Sequence, residues 1–80
     1  MKDLLDIRNE IDGIDRQIVE LFENRMILTT QVAEYKISTG KAVFDKEREV
    51  SKLDSVAELA HSEFNSHGVR ELFEHIMSVS

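Results

Sequence analysis

Arg25, Lys36 and Arg8, with Arg48 and Glu49 further along, are the residues whose types and spacing could do chemistry. Arg25 stands where an apolar residue belongs. Counting in sevens from Leu4 gives Leu4, Ile11, Ile18, Arg25 and Val32; from Ile7 it gives Ile7, Ile14, Leu21, Leu28 and Tyr35. Nine of these ten positions are apolar or aromatic, the pattern that buries one helical seam against neighbouring helices. The tenth is a guanidinium that cannot lose its proton. A buried cation is costly unless something anionic meets it. A carboxylate of the protein or an anionic ligand must therefore sit in the middle of the seam.

Lys36 follows Arg25 by eleven residues, a rotation of about 20° beyond whole turns and about 16 Å along a helix axis. Two long side chains on nearly one face could hold opposite ends of one small molecule. Arg8 lies beside the same seam but about 25 Å from Arg25, too far to reach that molecule within one chain. In an antiparallel or crossed dimer, Arg8 of one chain could close the site of the other. Helix two adds Asp45, Arg48, Glu49 and Lys52, with Arg48 and Lys52 at i, i+4. That turn offers another cation and a carboxylate able to accept from a hydroxyl; by itself it also fits an ordinary salt-bridged face. A structural ion pair would answer Arg25 alone. Three cations converging on one seam favour an anionic ligand.

The elements that must position these residues are three helices, expected over 3–39, 45–63 and 66–80. Asp3 is the cap of the first, with Asp6 three residues on, and Gly40 its C-terminal stop. Gly13 reads as a small residue where two helices approach closely. Asp45 caps helix two, whose inward residues are expected to be Val50, Leu53, Ala57, Leu59 and Ala60. The Phe64–Gly68 stretch reads as a turn with Ser66 as a cap. Helix three presents Val69, Leu72, Phe73, Ile76 and Met77 at amphipathic spacing. A first helix about 55 Å long overshoots an 80-residue domain of radius of gyration about 12 Å. A partner chain is the simplest cover for its seam, so a homodimer is expected.

Composition narrows the function. The 80 residues make one domain, without proline, cysteine or tryptophan. Lack of cysteine excludes a disulfide scaffold and thiolate metal sites and fits a cytoplasmic protein. No apolar run is long enough to span a membrane or form a signal-peptide core. A net charge of −6 argues against nucleic acid and anionic lipid, so an anion site must be a local basic cluster. His61, His67 and His75 lack the i, i+4 spacing of a helical zinc site and read as surface residues; Met26 and Met77 read as packing. No Ser/His/Asp set, Cys/His pair or phosphate-binding loop is present, so no metal, cofactor or covalent nucleophile is expected.

Ile7-Arg8-Asn9-Glu10-Ile11, Asp12-Gly13-Ile14-Asp15, Leu21-Phe22-Glu23-Asn24-Arg25, Lys36 and Asp45-Lys46-Glu47-Arg48-Glu49 together resemble the all-helical, AroQ-type chorismate mutases. The resemblance covers essentially the whole chain. No single motif is specific; their order and spacing are. It implies an intertwined homodimeric bundle that rearranges chorismate to prephenate in aromatic amino acid biosynthesis, without metal or cofactor. Carried over residue by residue, Arg25 and Arg8 of the other chain would clamp the substrate carboxylates, with Arg48 assisting. Lys36 would donate to the ether oxygen, and Glu49 and Asp45 would take the ring hydroxyl. Ser80 matches a serine near the active site. Members usually carry a glutamine one turn later that shares the ether oxygen with the lysine. This sequence stops before it, so the resemblance implies either a domain truncated at its C-terminus or a weakened site, the loss of one such donor costing about 10²–10³ in rate. An isochorismate-pyruvate lyase with a similar pocket and a non-catalytic dimerising module remain alternatives.

Overall fold

A computed structural model describes residues 2–40 and 46–80. The chain is all-α, with α1 (Leu4–Thr39), α2 (Lys46–Glu58) and α3 (Glu63–Ser78). It divides into two compact units, Met1–Tyr35 and Lys36–Ser80. Asp45, expected to cap helix two and to serve the site, lies outside the described residues.

Local chemistry accounts for both ends of α1. The Asp6 N–H donates to Asp3 Oδ1 at 2.9 Å, satisfying one of the donors that a helix start leaves unpaired. At the other end Gly40 takes φ 73°, a left-handed conformation that costs glycine little. Between them the seam runs as expected, but α1 contains no buried residue. Ile7, the most covered of its apolar members, is still 43% exposed.

The second unit holds the core, and it is small. Leu53, Val56 and Ala57 of α2 are the buried apolar residues among those described. They face α3, which contributes half-buried Val69, Phe73, Ile76 and Met77. Three expectations fail here, the first at Val50, which is 45% exposed in α2. Leu59 is 75% exposed because α2 ends at Glu58, placing it on the connection, and Val56 takes the inward place instead. Leu72 is exposed as well, since the face that meets α2 runs through Val69, Phe73, Ile76 and Met77.

The turn expected over Phe64–Gly68 also lies elsewhere. Helix two stops earlier than 63, and helix three starts at Glu63 rather than 66. Ser62, not Ser66, is the cap: its backbone is extended and its Oγ accepts from the Asn65 N–H at 3.0 Å. Ser66 instead donates to the Ala57 carbonyl at 3.0 Å, capping the end of α2 from the side. A run of poor helix formers, Asn65 to Gly68, is held helical because one good cap precedes it and α2 packs alongside.

Gly68 sits inside α3 without a positive φ, and a Cβ there would meet nothing within 4 Å. Gly68→Ala should therefore stabilise by about 0.5–1 kcal/mol, raising the thermal midpoint by several degrees at fixed protein concentration. Ser62→Ala should lower the stability by about 1 kcal/mol, and the thermal midpoint with it. A midpoint that falls in Gly68→Ala would mean that something outside the chain occupies the space.

Candidate functional site

Within the first unit, Arg25 is half-buried while its apolar seam neighbours are exposed. Thr29, one turn on, donates its hydroxyl to the Arg25 carbonyl at 2.9 Å, and Thr30 does the same to Met26 at 3.0 Å. Both hydroxyls are thus satisfied inside the helix. Met26 is half-buried beside it, in keeping with a packing role. Arg8 is exposed and lies on the same helix, about 25 Å back along its axis. The structure does not bring these two arginines together within one chain.

Gly13 gives no sign of a close approach inside the chain. A Cβ there would lie 3.9 Å from Arg16 Nη2, an ordinary contact.

Within the second unit, Lys36 is half-buried in the last turn of α1, where the helix dipole favours a cation. Thr39 Oγ1 donates to its carbonyl at 3.4 Å. Glu49 is half-buried in the first turn of α2, where a carboxylate is favoured. It is also in line with the core: positions 49, 53 and 56 follow one face of α2. Arg48, its neighbour, is exposed.

Ser80 lies two residues past the end of α3 and is exposed. Its hydroxyl donates to the Ile76 carbonyl at 2.6 Å. A hydroxyl whose proton is so committed can meet a substrate hydroxyl only as an acceptor. The sequence marked Ser80 but could not show this polarity.

The hairpin geometry relates Glu49 to Ser80. From Ala57–Ser66 to Asp54–Arg70 the contacts move back along α2 and forward along α3, the register of an antiparallel pair. The start of α2 and the end of α3 therefore share the hairpin's open end; by that register Glu49 lies level with Glu74, and Ser80 lies beyond it. Arg70, which no sequence signal singles out, holds Asp54 at 2.7 Å. Only the fold could reveal it, because the two residues are 16 apart and belong to no motif.

The three histidines are exposed, and His67 lies 2.9 Å from Glu71 on its own helix. A shallow depression of about 430 Å³ is lined by Lys46, Glu47, Val50, Ser51 and Asp54, and another of about 520 Å³ includes Phe64, His67 and Leu72. Neither is lined by Arg8, Arg25, Lys36, Arg48, Glu49 or Ser80. Among the described residues there is no cluster of three metal-ligating side chains, and no helix is long and apolar enough to cross a membrane.

The sequence profile of the family described as chorismate mutase type II matches residues 7–80. The chain belongs to that family. It is 35% identical over 79 residues to a bifunctional chorismate mutase/prephenate dehydratase of Buchnera aphidicola subsp. Schizaphis graminum, covering 98% of this chain and 20% of that protein. A protein of the same description from Enterobacter agglomerans is 30% identical over 79 residues, 96% of this chain and 20% of its own length. The T-protein of Haemophilus influenzae is 38% identical over 55 residues, 69% of this chain and 15% of the relative. The chain thus spans about a fifth or less of the curated relatives it matches. No solved structure matches it.

Arg8, Arg25, Lys36, Asp45, Arg48, Glu49 and Ser80 all fall within the matched span. If Arg25 is kept for a ligand rather than for the fold, Arg25→Leu should complete the apolar seam without cost. Circular dichroism should show unchanged helix content and a thermal midpoint equal or higher. A midpoint lower by several degrees would assign Arg25 to a structural ion pair.

Proposed function

We propose that this chain is a chorismate mutase, which rearranges chorismate to prephenate in the cytoplasm and acts as a homodimer. The observation that carries the reading is a half-buried arginine set in an apolar seam that is otherwise exposed. A second copy is the natural cover. Fully burying one Leu, Ile or Val side chain stabilises by about 1.5–3 kcal/mol, and the seam offers many. Covering it also places Arg25 where an anion is needed.

The reaction suits that placement. It is an intramolecular [3,3]-sigmatropic shift: the ether C–O bond breaks as a C–C bond forms, and no group leaves. Catalysis then consists of holding the substrate folded and stabilising charge on the ether oxygen. Arg25 and the partner copy's Arg8 would each take a carboxylate, with Arg48 assisting, and so hold the enolpyruvyl arm over the ring. Lys36 would donate to the ether oxygen. Its ammonium is worth more as negative charge grows there, so it lowers the barrier rather than only aiding binding. Glu49 would accept from the ring hydroxyl, with Ser80 as a second acceptor; Asp45 is assigned to the same end.

The direct test supplies purified chain with chorismate, follows loss of the diene absorbance and identifies the product. Prephenate is expected. Pyruvate and an aromatic acid would point to lyase chemistry, and no turnover with measurable chorismate binding to a non-catalytic module.

The shared site has its own test. Arg8→Ala and Arg25→Ala chains should each be inactive as homodimers yet recover activity when mixed. One pocket of the mixed dimer is assembled from intact Arg25 and intact Arg8. Absence of recovery after demonstrated subunit exchange would rule out cross-chain supply of Arg8.

A further inference from the structure

We propose that two copies of this chain pair along α1 antiparallel and in one register: Ile18 of each copy level with Leu21 of the other at the centre, Leu4 level with Tyr35 at the ends. This rests on the homodimer reading above and says which residues meet.

α1 is a continuous helix of 36 residues, about 54 Å long, and none of its side chains is buried. Its seam stays open along the whole length, from Ile7 at 43% exposed to Leu21 at 67%. α2 and α3, with 13 and 16 residues, are only about 20 and 24 Å long, so neither can line the seam from end to end. A second α1 can. A parallel copy would set Arg25 level with Arg25 and Arg8 level with Arg8, stacking like charges along the contact. It would also leave each Arg8 about 25 Å from the other copy's Arg25. An antiparallel copy avoids both, and its two-fold axis makes the contact self-complementary.

The heptad spacing then limits the registers. In an antiparallel pair the seam closes in layers, each joining a residue of the Leu4 series to one of the Ile7 series. Allowed registers therefore differ by seven residues, about 10.5 Å. With Ile18 level with Leu21, every seam residue has a level partner: Leu4 meets Tyr35, Ile11 meets Leu28, and Arg25 meets Ile14. A shift by one heptad in either direction strands the apolar residues at one end of each copy.

The charged residues select the same register independently. It sets Arg8 of one copy level with Gln31 of the other, about 9 Å past Arg25 on the side that leads to Lys36. Two long side chains can meet one small dicarboxylate across that gap. Shifting one way brings Asp15 of the two copies within about 3 Å of level, a like-charge pair beside the seam. Shifting the other way carries Arg8 about 20 Å past Arg25, too far for a shared small anion.

The chain contains no cysteine, so single cysteines report the register. Ile11→Cys chains are mixed with differently tagged Leu28→Cys, Leu21→Cys, Tyr35→Cys or Ile11→Cys chains, left to exchange, and oxidised with diamide. Disulfide-linked pairs are then quantified on non-reducing gels. Leu28→Cys should link at least about tenfold faster than the others, since a heptad's displacement exceeds the roughly 4.4–6.8 Å that a disulfide allows between Cα atoms. A second pair, Leu4→Cys with Tyr35→Cys, lies at the seam's ends, where a truncated side chain perturbs folding least, and should link as readily. Preferred linkage of Ile11→Cys to Leu21→Cys, to Tyr35→Cys or to itself overturns the register. Sedimentation of each variant under reducing conditions separates the two readings. A wild type that sediments as a monomer removes the homodimer and the register together; a dimer in which no pair is enriched removes the register alone. Failure to turn over chorismate would remove the mutase reading and leave the cross-linking result standing.

Discussion

An amphipathic helix is held by whatever covers its apolar stripe, since backbone helix formation alone is marginal in water. α1 carries such a stripe through nearly all of its 36 residues and contains no buried side chain. The functional reading depends on that stripe, because its cover decides the dielectric around Arg25. Two unit charges 4 Å apart attract by about 1 kcal/mol in water but about 4 kcal/mol at an effective dielectric near 20. The cover that stabilises the helix would therefore also raise the grip of a cation on a carboxylate. Association and substrate binding would share one surface.

The α2–α3 hairpin is stabilised in another way. Among the described residues its core is three buried side chains of α2 against four half-buried ones of α3, and polar contacts add to it: Ser62 caps α3, Ser66 caps α2 from across the hairpin, and Arg70 meets Asp54. Each is worth about 1 kcal/mol or less, yet each has a direction.

Much of this was legible in the sequence, for identifiable reasons. The seam of α1 and its two ends could be read because heptad spacing, Asp3 and Gly40 are local signals, and all three stand in the structure. The α2–α3 connection was misplaced because Asn65, Ser66, His67 and Gly68 are individually poor helix formers. Their tertiary setting reverses that preference: Ser66 finds the Ala57 carbonyl, and Ser62 supplies the cap four residues earlier. Val56 was overlooked and Leu59 wrongly turned inward for one reason, an end of α2 placed several residues late. Among site residues, the half-burial of Arg25, Lys36 and Glu49 agrees with their spacing, whereas the Arg70–Asp54 contact has no sequence signature at all.

The acidity of the chain bears on how an anionic substrate would be recognised. With a net charge of −6, the long-range field repels a dicarboxylate, so steering cannot be the source of affinity. Screening confines that repulsion to about 8 Å at physiological ionic strength, while a contact between guanidinium and carboxylate in a covered site is screened far less. Recognition therefore has to come from short-range, bidentate contacts at cations withdrawn from solvent. That requirement accounts for arginine rather than lysine at the seam position. Arginine keeps its charge under any burial and presents a planar fork to a carboxylate, whereas a buried lysine could shed its proton. At position 36 the demand is different. An ether oxygen offers no second acceptor to a fork, and a compact ammonium concentrates its charge on a single developing oxyanion. The two cations differ in kind as the two ends of the proposed substrate do.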